Sequence, residues 1–337
     1  MAADPLLDQM RLEINSELHE CIDQIVDQTP AEYASMLRYQ LGWGDEKGIL
    51  SQGKRIRPLL TLLACKACGG EWASALPAAA AVELVHNFSL IHDDIQDDSE
   101  TRRGRPTVWV KWGRAQAINA GDAMVFAAHL SLLRLARNFD SARVLKCATL
   151  LQEACLRLTH GQYLDMAFEN QADLPLELYW QMVEGKTSSL LSACLGLGAL
   201  AAGEEEDQVD RLMQFGNKIG AAFQVQDDWL GIWGNDALTG KSTTSDLVSR
   251  KKTYPVLLGI HHKGRFFEEW NSSTGISQEM ALELAKIMEN EGHKSATEST
   301  FQKLYNEGIS LLDSLKLDQE ASAPLRKAVE GLFSRLS

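Results

Sequence analysis

An all-α fold is predicted for this chain from three features of its sequence. Apolar residues recur at three- and four-residue spacing through most of its 337 positions, which is the period of an α-helix with one buried face. The alternation of apolar and polar residues that marks half-buried strands is nearly absent. The 8 prolines stand mostly at the edges of the periodic segments, where they begin or end a helix.

The N-terminal part contains two clear helical patterns. "LLDQMRLEINSELHECIDQIV" predicts an amphipathic helix over residues 6–26, and the uncharged segment from Leu76 to Ile95 predicts a buried one. Between them, "TPAE" indicates a helix start. Thr29 is expected to cap this helix, Pro30 to fit its first turn and Glu32 to close a capping box.

Helical patterns continue through the rest of the chain. They cover residues 114–137, 140–170, 175–202 and 207–230. Ser295 and Glu298 predict a further helix start near the C-terminus. Connections are short except near 42–53, 232–247 and 262–277, and no low-complexity linker or clean repeat divides the chain. We therefore expect a single all-α domain over residues 1–337.

Composition and charge argue against several classes of protein. With a net charge of −13, the chain is a poor partner for nucleic acid or an anionic membrane surface, so we expect no nucleic-acid partner. An anionic ligand would need local basic clusters or metal ions. "LLSACLGLGALAA", over residues 190–202, is read as the longest apolar stretch and is too short to span a bilayer, so no transmembrane segment is expected.

The cysteines indicate a reducing compartment. They lie mostly in apolar helical segments, and the charged N-terminus does not resemble a secretory signal. The six are Cys21, Cys65, Cys68, Cys147, Cys155 and Cys194. We expect buried free thiols and a cytoplasmic protein. Cys65 and Cys68 are spaced like zinc ligands, but no second Cys or His pair follows at finger-like spacing.

An acidic cluster, "DDIQDD", follows the uncharged helix. On a helix, Asp93 and Asp97 are four residues apart and share one face, where their charges repel. Carboxylate oxygens suit Mg²⁺, which also binds phosphate oxygens. A cation between these carboxylates and a phosphate would relieve the repulsion. For this segment alone, a solvated acidic helix end remains the alternative.

A second acidic cluster favours the metal-binding interpretation. Asp227 and Asp228 end another apolar helix, and Asp246 follows them. Basic residues accompany both clusters along the chain: Lys54, Arg55, Arg57, Arg102, Arg103, Arg105, Lys186, Lys241 and Lys251. Two acidic faces opposed across a cavity and ringed by Arg and Lys predict a site that binds a diphosphate through Mg²⁺.

Together these segments resemble the trans-isoprenyl diphosphate synthase, or polyprenyl synthetase, family. The motifs are "GKRIRP", "LIHDDIQDD" with "RRGRPT", "GKTSSLL", and "FQVQDD" with "KKTYP", in the family's order over about residues 50–260. The resemblance implies an isoprenoid synthase-type helical bundle around a deep central cavity, assembled as a homodimer. It also implies Mg²⁺-dependent head-to-tail condensation of isopentenyl diphosphate with an allylic diphosphate.

The resemblance implies roles for individual residues. It makes Asp93, Asp97 and Asp227 the metal ligands, with Asp94 as a supporting partner and three Mg²⁺ ions in the substrate-bound site. The residues implied to bind the allylic diphosphate are Arg102, Lys186, Thr187, Gln224, Lys241 and Lys251. Those implied to bind isopentenyl diphosphate are Lys54, Arg57, His86 and Arg103. The implied catalytic set is Asp93, Asp94, Asp97, Arg102, Lys186, Asp227 and Lys241.

Product length is implied by the residues just before the first motif. Phe88 and Ser89 stand five and four positions before Asp93, and the motif is the short form without an insertion. A single aromatic residue beside a small one resembles geranylgeranyl diphosphate synthases. Farnesyl diphosphate or a longer product is the alternative, as is a Phe88 that only packs the helix core.

The second motif departs from the family's pattern. It reads "DDWLG", with Gly231 where the family usually has a carboxylate, so that role is expected to pass to water with Asp246 nearby. Several other polar residues have open or structural interpretations. Gln162 and Asp165 either line the site or lie outside it, and Arg55 and Arg105 are expected to be solvated.

Three other functions are weighed against chain elongation. A class I terpene cyclase would lack "GKRIRP" and would carry a different second motif. A non-catalytic partner subunit would have lost the first aspartates, which are complete here. A purely structural helical protein would have no reason to carry these motifs in this order.

Overall fold

The computed structural model describes residues 4–43, 53–168, 171, 174–234, 244–273 and 275–333, and these are almost entirely helical, as predicted. The α-helices are α1 (Pro5–Val26), α2 (Ala31–Gln40), α3 (Ile56–Ala67), α4 (Leu76–Gln96), α5 (Val108–Trp112), α6 (Arg114–Leu133), α7 (Ser141–Phe168), α8 (Leu176–Val183), α9 (Ser189–Ala202), α10 (Glu206–Trp233), α11 (Ser245–Val248), α12 (Tyr254–His262), α13 (Arg265–Ser272), α14 (Gln278–Asn290), α15 (His293–Ser314) and α16 (Gln319–Phe333). Shorter elements are the 3₁₀ turns Trp72–Ala75 and Arg134–Arg137, and the π-helix Glu184–Ser188. Strands β1 (Thr101–Arg102) and β2 (Arg105–Pro106) form an antiparallel hairpin.

Helices begin close to both predicted starts, but the predicted capping residues are wrong. The Thr29 hydroxyl donates to the Val26 carbonyl at 2.8 Å, so it bonds back to the end of α1 instead of capping α2, which has no side-chain cap. Helix α15 begins at His293, behind Gly292, and Ser295 lies inside its first turn, where its hydroxyl donates to the Gly292 carbonyl at 3.0 Å. Serine and threonine hydroxyls form such local bonds in several settings, so their spacing alone does not fix a helix start.

The chain divides into two compact units. Unit 1 comprises Met1–Glu153, Ala193–Val209 and Leu317–Leu325. Unit 2 comprises Ala154–Ser192, Asp210–Lys316 and Arg326–Ser337. Whether they form the single domain expected from the sequence stays a prediction.

Unit 1 is built around α4, which is buried along most of its length. The four successive alanines at 78–81 are fully buried, and their small side chains let α3 and α6 pack closely on this helix. This packing accounts for the scarcity of charge in the segment from Leu76 to Ile95. The C-terminal end of the same helix carries the first acidic motif.

Unit 2 has a separate apolar core, rich in aromatic rings. Tyr179 of α8 and Phe266 of α13 are fully buried. The rings of Tyr179, Trp180 and Tyr254 contact one another, with centroids 5.2 to 5.5 Å apart. Val225 of α10 belongs to the same core, which fixes the end of α10 that carries the second acidic motif.

Within the part of the chain that the structure describes, one helical stretch, Trp72–Gln96, is long and apolar enough to cross a membrane, judged by length and composition alone. Inside the protein, 67% of its most apolar window is buried. This stretch is longer than the one at residues 190–202, because its apolar character continues across isolated polar residues. A buried core helix meets the same criterion, so the finding is weak support for a membrane span.

Candidate active site

The first acidic motif stands at the C-terminal end of α4 in unit 1. Asp93 is half-buried, Asp94 is buried, and Asp97, which caps the helix, is exposed. The Asp97 backbone N–H donates to the Asp93 carbonyl at 2.9 Å, so the last helical turn keeps the two carboxylates on one face. Asp93 and Asp97 are therefore the accessible members of the motif, and Asp94 is enclosed by the protein.

Arg102 joins the β-hairpin to this motif. Its Nε donates to Asp94 Oδ1 at 2.7 Å, and its Nη2 lies 3.5 Å from Asp93 Oδ2. Burial raises the pKa of Asp94 to about 6, and the Arg102 charge opposes that rise. The hairpin turns at Arg103 and Gly104, whose φ angles of 53° and 72° suit a two-residue turn. The buried Asp94 thus holds Arg102 beside Asp93.

Four arginines lie around His86, two turns before the acidic motif. Arg57 Nη1 is 3.4 Å from His86 Nε2. Burial lowers the pKa of His86 well below its usual value, and the charges of Arg57, Arg103, Arg102 and Arg55 lower it further. His86 is therefore neutral, and the surrounding cluster is strongly cationic, as an anion-binding site requires.

The segment before α3 passes directly beside Arg103. A β-carbon on Gly53 would lie 2.8 Å from the Arg103 guanidinium carbon. Lys54, the next residue, is exposed. Arg57, His86 and Arg103, all predicted to bind isopentenyl diphosphate, are thus brought together in unit 1, with Lys54 close to them along the chain.

Arg55 and Arg105 are structural, so the expectation that they are solvated is wrong. Arg55 is buried, and its Nη1 donates to Glu83 Oε1 at 2.5 Å and its Nη2 to the Leu41 carbonyl at 2.8 Å. The Arg105 guanidinium lies 4.2 Å from the centroid of the Tyr39 ring and donates to the Tyr39 carbonyl at 2.6 Å. Both side chains have fixed partners that no local sequence pattern reveals.

The two chain-length candidates lie one turn before the first motif. Phe88 is 9% exposed, and its ring meets the His92 ring edge-on with centroids 5.1 Å apart. His92 Nε2 lies 3.4 Å from the Ile118 carbonyl of α6. Ser89 is half-buried and donates to the His86 carbonyl at 2.8 Å. Phe88 therefore belongs to the packing of α4.

The second acidic motif lies near the end of α10 in unit 2. Asp227 is half-buried, whereas Asp228 is buried. Asp228 accepts hydrogen bonds from the Tyr179 hydroxyl (2.7 Å), the Tyr254 backbone N–H (2.8 Å) and Gln224 Nε2 (2.9 Å). Burial raises the pKa of Asp228 to about 7, and these hydrogen bonds oppose the rise. Asp228 thus anchors the C-terminal part of α10, which also carries Asp227, to Tyr179 and Tyr254.

The motif "GKTSSLL" begins in the π-helix, Glu184–Ser188. Lys186 Nζ lies 2.5 Å from Asp165 Oδ2, and both side chains are partly exposed. Thr187 donates to Gln224 Oε1 at 2.6 Å. Unit 2 therefore brings Lys186, Thr187 and Gln224, three predicted allylic-diphosphate ligands, onto neighbouring segments. A π-helix is uncommon, and such distortions often occur at functional sites.

Asp246 is the residue that lies against Gly231. A β-carbon on Gly231 would meet the Asp246 carboxylate at a distance that real side chains essentially never show. Lys251 is exposed, and its backbone N–H donates to the Asp246 carbonyl at 2.9 Å. Lys241, also predicted to bind the allylic diphosphate, lies outside the described residues.

A family model described as "Polyprenyl synthetase" matches residues 46–294, which is most of the chain. The chain belongs to the polyprenyl synthetase family. This confirms the family that the motifs predict over about residues 50–260, together with its all-α, isoprenoid synthase-type fold.

Curated relatives of this polyprenyl synthetase are short-chain synthases. A (2E,6E)-farnesyl diphosphate synthase of Mycobacterium tuberculosis is 38% identical over 323 residues, covering 93% of this chain and 89% of that one. A geranylgeranyl diphosphate synthase of the same organism is 39% identical over 262 residues, covering 77% and 73%. The chain is thus a short-chain trans-prenyl diphosphate synthase, a trans-prenyltransferase.

A solved structure gives the same fold. The geranylgeranyl pyrophosphate synthase of Corynebacterium glutamicum, complexed with isoprenyl diphosphate and magnesium, has a TM-score of 0.84 and 26% identity to this chain. The match covers 99% of this chain and 100% of that one. The helical fold is therefore shared along the whole polyprenyl synthetase.

The carboxylates of this polyprenyl synthetase fit Mg²⁺. Asp93, Asp97 and Asp227 are all at least partly exposed, so an ion held by their oxygens could also bind water and phosphate oxygens. Asp94 and Asp228 are buried and accept hydrogen bonds from Arg102 and Tyr179. Within each motif the accessible oxygen donors are thus the residues predicted to bind the metal.

Two contributors to the site were not assigned from the sequence. Tyr179 stands 49 positions before Asp228, and no local pattern joins them. Asp165, left open, pairs with the lysine of the π-helix. In the sequence, Gly161 and Gly185 were the available sign that the segments of Asp165 and Lys186 meet. A β-carbon on Gly185 would lie 2.7 Å from Gly161 Cα, so the two backbones are in direct contact there.

Proposed function

We propose that this enzyme condenses isopentenyl diphosphate head to tail with an allylic diphosphate and releases an all-trans prenyl diphosphate. The observation that supports this best is the cationic cluster of Arg57 and Arg103 around the neutral His86. A terpene cyclase binds one diphosphate, for which the acidic motifs with their metal ions suffice. Chain elongation requires a second diphosphate site, and this cluster supplies one without a metal.

In the proposed reaction the allylic C–O bond breaks, and the isopentenyl double bond forms a C–C bond to the same carbon. A proton then leaves the isopentenyl unit, and the released diphosphate accepts it, so no protein general base is needed. The allylic diphosphate is bound by Arg102, Lys186, Thr187, Gln224, Lys241 and Lys251. The cations among these residues offset the charge that develops on the leaving diphosphate. Isopentenyl diphosphate is bound by Lys54, Arg57, His86 and Arg103.

Asp93, Asp97 and Asp227 would hold the Mg²⁺ ions, three when substrate is bound. Magnesium bound there supplies further positive charge to the leaving diphosphate. The buried neighbours Asp94 and Asp228 position the proposed metal ligands. Asp94 holds Arg102 beside Asp93, and Asp228 holds the end of α10 that carries Asp227.

Geranylgeranyl diphosphate is the proposed main product. The growing chain is expected to stop against Phe88, which is aromatic, while the small Ser89 leaves the neighbouring space open. Farnesyl diphosphate is the second candidate, because a relative named as a farnesyl diphosphate synthase is 38% identical over 323 residues.

We also infer a cytoplasmic homodimer without a membrane span. All six cysteines are free thiols, which suits a reducing compartment. The apolar stretch Trp72–Gln96 is mostly buried, as a core helix is. The homodimer rests on the resemblance to the family.

Diphosphate release by the purified protein tests this function. We expect release only when Mg²⁺, isopentenyl diphosphate and an allylic diphosphate are all present. Asp93→Ala should abolish release while the helical circular dichroism spectrum is kept. Asp98→Ala is the matched control and should retain the wild-type rate, because it removes the exposed last carboxylate of "DDIQDD", which is paired with Arg114 and is not among the predicted metal ligands. Full release from the allylic diphosphate alone, with a hydrocarbon product, would identify a cyclase instead.

A further inference from the structure

A cluster of His262, Glu291 and His293 lies in unit 2, on elements that carry none of the residues proposed to bind metal or diphosphate. His262 ends α12, Glu291 follows α14, and His293 begins α15. One ligand atom from each residue lies within 4.8 Å of the other two. Three helix ends thus present two imidazoles and a carboxylate to one another.

A single proton on His293 Nε2 cannot serve both of its close neighbours in this cluster. His293 Nε2 lies 3.4 Å from His262 Nδ1 and 3.2 Å from Glu291 Oε2. A neutral imidazole nitrogen carries either one proton or one lone pair. With a proton, His293 Nε2 can donate well to only one neighbour, and without it a lone pair faces the carboxylate. A cation at the centre would accept a lone pair from each of the three atoms.

Two of the three ligand separations match those of a tetrahedral metal site, and the third, between His262 and Glu291, is within 4.8 Å. Zinc lies about 2.0–2.2 Å from imidazole nitrogen and carboxylate oxygen, so two ligand atoms of a tetrahedron stand about 3.3–3.5 Å apart. The two measured separations, 3.4 and 3.2 Å, fall close to this range. Two nitrogens and one oxygen favour zinc or a similar transition metal over Mg²⁺, which prefers oxygen ligands.

Burial and the surrounding contacts prepare the ligands. The side chain of His293 is 7% exposed and that of Glu291 15%, whereas His262 is exposed and leaves a path for an ion or a water ligand. Glu291 Oε1 accepts a hydrogen bond from the Phe266 backbone N–H at 3.3 Å, which orients the carboxylate with its other oxygen, Oε2, towards His293.

We propose that His262, Glu291 and His293 bind one transition-metal dication of the zinc type, with water as the fourth ligand. The bound ion joins the ends of α12, α14 and α15 in unit 2, and through Glu291 it is linked to the start of α13. Its role is to stabilise these helix ends, and prenyl transfer continues to depend on Mg²⁺.

Titration of the untagged, chelator-treated protein with Co²⁺ and Zn²⁺ in excess Mg²⁺ tests this proposal. We expect one Co²⁺ per chain, with the intense visible absorption of a tetrahedral ion, and its displacement by Zn²⁺. His262→Ala should weaken Zn²⁺ binding by more than about 100-fold, since loss of outer-sphere partners alone costs about 10–100-fold. His261→Ala is the matched control: its ring contacts the Leu257 carbonyl at 2.9 Å, so binding should be unchanged.

Thermal unfolding gives an independent readout. Zn²⁺ should raise the Tm of the wild type and of His261→Ala but not that of His262→Ala. Glu291→Gln, which keeps an acceptor for the Phe266 N–H, should also weaken Zn²⁺ binding. No stoichiometric binding to the wild type in excess Mg²⁺, or equal binding by the wild type and His262→Ala, would overturn the proposal.

Discussion

The Asp246 carboxylate occupies the space that the first carbon of a side chain on Gly231 would need. In the family's usual second motif, position 231 carries a carboxylate, and here the residue is glycine. A side chain at position 231 and the Asp246 carboxylate would therefore compete for the same space. We infer that Asp246 supports metal binding at Asp227 in place of the missing side chain.

Gly231→Ala should weaken Mg²⁺ binding, because the added methyl group must displace the Asp246 carboxylate. We expect the Mg²⁺ concentration for half-maximal rate to rise about 10-fold, the size typical of outer-sphere losses. Asp246→Asn should produce the same change without a steric effect. The measurement is the initial rate as a function of Mg²⁺ concentration.

Gly331→Ala is the matched control, since Gly331 also lies in a helix but has open space around its would-be β-carbon. Its Mg²⁺ dependence should equal that of the wild type. Unchanged Mg²⁺ dependence in both Gly231→Ala and Asp246→Asn would place Asp246 outside the metal's surroundings.

Two arginines should separate the two diphosphate sites. Arg57→Ala should chiefly raise the KM for isopentenyl diphosphate, because Arg57 lies beside His86. Arg102→Ala should chiefly impair the use of the allylic substrate, because Arg102 is held next to Asp93. A lost charge-assisted contact should change the affected parameter by about 10- to 150-fold. Steady-state kinetics with each substrate varied in turn checks this, and interchanged or identical effects would refute the assignment.

The pattern of the sequence predicted the helices well, because burial of one face imposes a period that long segments repeat many times. The exact helix ends were predicted poorly, as Thr29 and Ser295 show, because their hydroxyls bond locally in more than one way. The candidate site residues were predicted from motifs, because each motif keeps its residues in a fixed local order. The partners of Asp228 and Arg55 were missed, because these contacts join residues far apart in the chain.

The neutral His86 should make the protein less stable in acid. Unfolded histidine takes up a proton near pH 6.5, whereas the folded pKa of His86 lies well below that value. Below pH 6.5 the unfolded state therefore binds more protons, and the free energy of unfolding falls as pH falls. His86→Gln should reduce this slope by at most about 1.4 kcal/mol per pH unit.

Urea unfolding between pH 7 and 5 measures that slope. His160→Gln, which replaces an exposed histidine, should leave the slope as in the wild type. An identical slope in His86→Gln and the wild type would show that His86 takes up its proton in the folded state as readily as in the unfolded one.

Phe88→Ala should lengthen the main product by at least one isoprene unit, because it removes most of a ring where the growing chain is expected to stop. Phe126→Ala is the matched control and should leave the product unchanged. It removes an aromatic ring of α6 that is 66% exposed. Chromatography of the dephosphorylated products gives the distribution. An unaltered distribution from a folded, active Phe88→Ala protein would mean that Phe88 only packs the core.

The most direct test of the proposed function is the length of the product made by the wild-type protein. The purified chain would be incubated with Mg²⁺, isopentenyl diphosphate and dimethylallyl, geranyl or farnesyl diphosphate, and the dephosphorylated alcohols identified by mass spectrometry. We expect all three primers to be extended and geranylgeraniol to be the main alcohol from each. Failure to extend farnesyl diphosphate, with farnesol as the end product, would contradict the assignment of geranylgeranyl diphosphate, and failure to extend any primer would contradict chain elongation itself.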